Sequence, residues 1–165
     1  MQSKLTALVV TTAFAATACE AGSEPRFTQA ELNEFFRQSL EMSERCDLPV
    51  RTAGARVMQH DLQGAAPLVA EARAACLQSA MELGSIEFPT SAPEEVRGKM
   101  GIFRATCSGA YAMKARLMNS LVDERSGQIR VTEAFLHEGQ QVQQTQQNCT
   151  NAAQAIAVAA GLQLP

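Results

Sequence analysis

The chain has 165 residues, 46% of them hydrophobic and 19% charged, with a formal net charge of −3 at pH 7. That mild acidity excludes a nucleic-acid binder built on a basic face, and it offers no polybasic patch to an anionic lipid surface. With no Trp and a single Tyr, Tyr111, the sequence points to an aliphatic, alanine-rich core in one domain's worth of residues.

The first element is a leader. Lys4 gives a positive start, Leu5 to Ala15 is uncharged and mostly apolar, and Ala16-Thr17-Ala18 has the small-x-small pattern a signal peptidase requires. The run is shorter than the roughly 20 apolar residues of a membrane span. Residues 1–18 are therefore expected to be removed on export. What remains carries 13 basic and 17 acidic side chains, a charge of −4. Residues 19–27 are polar, contain Gly and Pro, and read as a tether to a helical domain over 28–165.

Four amphipathic helices follow. Thr28 and Glu31 have capping-box spacing, and Phe27 and Leu32 suit a hydrophobic staple. Leu32, Phe35, Phe36, Ser39, Leu40, Ser43 and Cys46 trace one stripe, so helix one is expected over 28–46, ended by Pro49. Residues 51–66 read as a short helix broken at Gly64. Pro67 fits the first turn of helix two, over 66–84, which carries Val69, Ala72, Cys76 and Leu83 on one face and closes at Gly84.

Ser91 and Glu94 have capping-box spacing before helix three, expected over 92–124. Its stripe is Val96, Met100, Phe103, Cys107, Ala110, Lys114, Leu117 and Leu121, with Lys114 a charge on an apolar face whose stem can snorkel. Gly98, Gly101 and Gly109 mark either close helix contact or a kink. Thr132 opens helix four, whose stripe includes Phe135, Val142, Cys149 and Ile156 and which Gly161 closes. The Gln-rich run 140–149 reads as a solvated polar face. No strand-like alternation competes, and short links predict an all-α, antiparallel up-down four-helix bundle.

Each helix carries one cysteine on or near its apolar stripe: Cys46, Cys76, Cys107 and Cys149. In an exporting chain these are expected to form two disulfides. Three connectivities are open. Cys107 and Cys149 each lie about 25 Å from the turn between helices three and four, at 1.5 Å per residue, which brings them level in antiparallel neighbours. That favours Cys107–Cys149 and, by remainder, Cys46–Cys76. Closely spaced ligand pairs such as CxxC, which a four-cysteine zinc site needs, do not occur.

A fifth cysteine, Cys19, is left over at the cleavage point. The stretch Ala16-Thr17-Ala18-Cys19 resembles the lipobox of bacterial lipoproteins. The resemblance covers the leader alone. It implies that Cys19 is acylated, becomes the new N-terminus and anchors the domain to a membrane. Ala16 stands where that family prefers Leu, and ordinary cleavage to a soluble secreted protein is the alternative. Glu20, where enteric lipoproteins held at the inner membrane carry Asp, implies a periplasm-facing outer-membrane location.

The sequence carries no catalytic constellation. His137 begins an HE pair but lacks a second histidine four residues on, and His60 stands beside Asp61 in the uncertain segment. Phosphate-loop, nucleophile-elbow and covalent-haem motifs do not occur. The expected role is therefore non-enzymatic, with no cofactor and no metal. It is either contact with another protein or the cell wall, or carriage of haem, metal or a small apolar molecule between the helices. A hydrolytic or redox enzyme is the remaining reading, the redox form requiring an exposed, readily reduced disulfide.

Overall fold

In the computed structural model, which describes residues 26–123, 126 and 128–164, Thr28 caps the first helix as its spacing predicts. The Glu31 N–H donates to Thr28 Oγ1 at 3.3 Å, and the Thr28 N–H donates back to Glu31 Oε2 at 2.8 Å. Phe27 packs on the core cluster that contains Leu32, completing the staple. The leader with Cys19, and residues 19–25 of the expected tether, lie outside the described residues.

Helix α1 (Gln29–Met58) does not stop at Pro49 but runs 30 residues through it. Pro49 removes one helical hydrogen bond, at a cost of about 3 kcal/mol in a helix interior. The cost is met by tertiary burial on both sides of it: Cys46 before and Ala53 after are fully buried on the same face. The real break is the three-residue link Gln59–Asp61. His60 takes the left-handed conformation at φ 60°, the Asp61 N–H donates to Arg56 O at 3.0 Å, and the His60 N–H donates to Val57 O at 3.0 Å. This is the two-bond stop that glycine usually makes. Gly161, at φ 64°, ends the last helix with the same pattern, Leu162 to Ala157 and Gly161 to Val158.

Helix α2 (Leu62–Gly84) therefore starts four residues before the expected position, and Pro67 lies inside it. Asp61 is its cap. The Gly64 N–H donates to Asp61 Oδ1 at 2.9 Å, and a Cβ at Gly64 would collide with that carboxylate. Gly64 thus serves the start of a helix and does not break one.

Helix α3 (Glu94–Ser120) carries the expected stripe, buried from Val96 to Leu117, but lacks the expected capping box. Pro93 is its cap and makes no side-chain bond. Ser91 instead donates to Glu31 Oε1 at 2.6 Å, pinning the α2–α3 loop to the start of α1. That bond, with those from Thr28, lowers the Glu31 pKa below the ordinary carboxylate value. Gly98, Gly101 and Gly109 face open space, so close helix approach does not account for them. Helix α3 stops before the expected residue 124, where Leu121–Asp123 pairs back on Gln128–Arg130 through a single antiparallel bridge, Val122 with Ile129. Helix α4 (Glu133–Ala160) starts at a Thr132 cap, which accepts from the Phe135 N–H at 3.1 Å.

The helices run up, down, up and down, and successive pairs pack along their length. Two disulfides staple them, Cys46–Cys76 across α1 and α2 and Cys107–Cys149 across α3 and α4. The core forms two layers. One holds both disulfides with Leu32, Phe35, Met100, Phe103 and Ile156; the other holds Ala53, Val69, Leu117, Leu121, Ile129 and Val142. Helix α1 touches α3 lightly, and no extensive packing joins α1 to α4. At one pole the segment after α4 reaches α1, where Gln29 donates to Gln163 O at 2.8 Å and accepts from the Gln163 N–H at 3.1 Å.

Candidate functional site

On the side where α1 and α4 do not pack together, an apolar groove of about 620 Å³ runs along α1. Its size is that of a small-molecule site. Phe36, Leu40 and Ser43 come from α1, Phe103 and Tyr111 from α3, and Leu164 from the segment after α4. Helical spacing explains the α1 wall, since residues 36, 40 and 43 fall on one face. Phe36 and Phe103 meet edge to face, with ring centroids 5.6 Å apart. Phe35 backs both rings at 5.5 and 5.6 Å. The aromatic floor is thus held by core packing and does not depend on a ligand. Leu40, on the stripe expected to be buried, is 59% exposed.

One end of the groove is lined by Ser43 and Tyr111, and a buried ion pair adjoins them. Lys114 is buried, its side chain 7% exposed, and its Nζ forms an ion pair with Asp47 Oδ1. It does not snorkel to solvent as its position on the stripe suggests. Its ammonium also lies 5.0 Å from the centre of the Tyr111 ring, close enough for a cation–π contact. The Ser43 hydroxyl donates to Asp47 Oδ2 at 3.4 Å. Burial pushes the Tyr111 phenol up; a hydrogen bond with Ser43 opposes that shift and the Asp47 charge adds to it. Tyr111 therefore keeps its proton at neutral pH.

The polar groups along the rest of the groove are already engaged. Ser39 Oγ donates to Phe35 O at 2.9 Å, and Asn33 Oδ1 accepts from Gln29 at 2.7 Å. Arg37 pairs with Glu34 at 2.6 Å and with Glu41. Those contacts hold the Glu34 carboxyl down at about 2 and push the Arg37 guanidinium up.

The other residues weighed from sequence stay apart from this groove. His60 forms the α1–α2 turn, and His137 accepts or donates at 3.1 Å to Gln141 on the surface of α4. Among the described residues, no three His, Cys, Asp or Glu side chains gather where they could hold a metal ion. The glutamine run pairs along its own helix, Gln144 with Asn148 and Gln147 with Asn151. Cys46 and Cys76 are fully buried, as is Cys107, while Cys149 is half-buried. No described helix is long and apolar enough to cross a membrane.

Comparison with protein-family models, curated proteins and solved structures finds no match.

Proposed function

We propose that this is an exported helical protein, anchored through lipid on Cys19 at a periplasm-facing membrane, that carries a small apolar molecule and catalyses no reaction. The observation that carries the reading is the open, aromatic-floored groove on a scaffold stapled by two disulfides. A preformed apolar pocket with few polar groups is the usual form of a small-molecule site. Of the two non-enzymatic roles open from the sequence, carriage is therefore favoured over contact with a protein or the cell wall. The disulfides support export, because paired cysteines persist in oxidising compartments. They also use four of the five cysteines and leave Cys19 for acylation.

Two measurements test the reading. The neutral fluorescent probe N-phenyl-1-naphthylamine is expected to brighten on binding the purified protein, and Leu40→Glu is expected to abolish that signal while leaving the helical circular dichroism unchanged. Leu40 is exposed enough for the substitution to spare the core. Equal probe fluorescence in both proteins overturns the groove as the binding site. For the anchor, the wild type is expected in the membrane fraction and Cys19→Ser in the soluble fraction. A wild type that is soluble, or a variant that stays on the membrane, overturns the lipidated form.

A further inference from the structure

We propose that the groove selects a neutral single-tailed amphiphile, an alkyl or aryl chain ending in one hydroxyl, with its tail along Phe36, Leu40 and Leu164 and its hydroxyl between Ser43 and Tyr111. The inference rests on the groove being a binding site and names the chemistry of what it takes.

Charge decides the head group. The two cations beside the groove are both held by acids. Arg37 sits between Glu34 and Glu41, so this part of the rim carries one net negative charge. Lys114 is buried against Asp47. A carboxylate or phosphate entering the groove meets no uncommitted cation, and at the polar end it approaches the Asp47 carboxylate. An ammonium group at the same end approaches Lys114, whose Nζ lies 5.0 Å from the Tyr111 ring centre. At that end either ion would lose its water beside a Lys114–Asp47 pair that is neutral overall, which costs far more than burying a hydroxyl that is hydrogen-bonded.

A hydroxyl fits instead. Ser43 and Tyr111 both line the groove; the Ser43 hydroxyl donates to Asp47 Oδ2 at 3.4 Å and is hydrogen-bonded with Tyr111, which leaves lone pairs on both oxygens to accept from an incoming hydroxyl. The raised Tyr111 pKa keeps its donor proton in place. The other polar side chains of the lining, Asn33, Arg37 and Ser39, already have partners. Ser43 and Tyr111 are the two hydroxyls of the lining that stand together, so their end of the trough is where an incoming hydroxyl finds more than one acceptor. From Asn33 to Ser43 the α1 wall rises about 15 Å, room for a chain of roughly ten carbons lying along the helix.

The experiment is displacement of N-phenyl-1-naphthylamine from the whole protein at pH 7 by decan-1-ol, decanoate and decylammonium. Decan-1-ol is expected to compete at least about tenfold better than either ion. Ser43→Ala combined with Tyr111→Phe removes both hydroxyls while keeping the ring, and is expected to erase that advantage. If the probe binds but the three heads compete equally, the groove stands as an apolar site and the head-group selection is overturned. Tighter binding of decanoate or decylammonium overturns it as well. If the probe does not bind at all, the groove reading fails and this inference fails with it. An alcohol advantage that survives in the double variant overturns the assignment to Ser43 and Tyr111.

Discussion

Fully reduced, alkylated and returned to native buffer, the protein is expected to remain unfolded. The two disulfides close loops over sequence separations of 30 and 42 residues, and each such loop contributes about 3–4 kcal/mol. Their joint loss, about 7 kcal/mol, is comparable with the whole stability of a domain of this size, roughly 5–15 kcal/mol. Far-ultraviolet circular dichroism of the alkylated chain measures it, and a native helical spectrum with cooperative melting would contradict the expectation. Replacing one pair at a time separates the contributions. Under mild reductant without denaturant, the bridges are expected to open in order. Cys149 is half-buried whereas Cys46 and Cys76 are fully enclosed, so an attacking thiolate reaches Cys107–Cys149 first. Mass spectrometry after timed alkylation reads the order directly. Prompt opening of Cys46–Cys76 would instead require that α1 and α2 separate easily.

The second large effect concerns the Lys114–Asp47 pair. Asp47→Leu is expected to cost about 3 kcal/mol, because it leaves the Lys114 ammonium buried without a counter-charge. Lys114→Met is expected to cost less, since the Asp47 side chain is 23% exposed and can recover water. The double change Asp47→Leu with Lys114→Met is expected to be close to neutral, because replacing a buried pair with apolar groups removes both desolvation penalties. Urea unfolding of the three variants closes the cycle. Additive losses in the double variant would mean that the pair contributes little and that each side chain acts through its own packing.

That pair also shows where sequence reasoning reached and where it stopped. The stripes of α2 and α3 were legible because 3.6-residue periodicity reports burial directly, and Cys107 could be paired with Cys149 because rise per residue converts sequence distance into height, leaving Cys46 and Cys76 by remainder. The end of α1 was not legible. Pro49 is locally a terminator, but burial of Cys46 and Ala53 on one face outweighs the lost hydrogen bond. The true stop at His60 was hidden because a left-handed residue after a helix is expected to be Gly. Reading Asp47 as part of a terminating loop removed it from α1. Lys114 then had no visible partner.

The groove was half legible for a related reason. Phe36, Leu40 and Ser43 all stood on the α1 stripe, but periodicity cannot tell a face covered by a neighbouring helix from one left bare. Only the lack of extensive packing between α1 and α4 among the described residues distinguishes them. Two small signs were present in the sequence: serines at 39 and 43 among the aromatic and leucine positions, and a lysine on the stripe of α3.

The double hydrogen bond between Gln29 and Gln163 brings the segment after α4 to the place where α1 begins. On the anchored reading, that pole is the one nearest the bilayer. The eight residues 20–27 span at most about 28 Å when fully stretched, so this end of the domain is confined to a shell close to the lipid headgroups. Leu164 marks the same end of the groove. On that same reading the Leu164 end of the groove stays near the membrane, and the length of the leash would limit an apolar cargo's exposure to water during transfer.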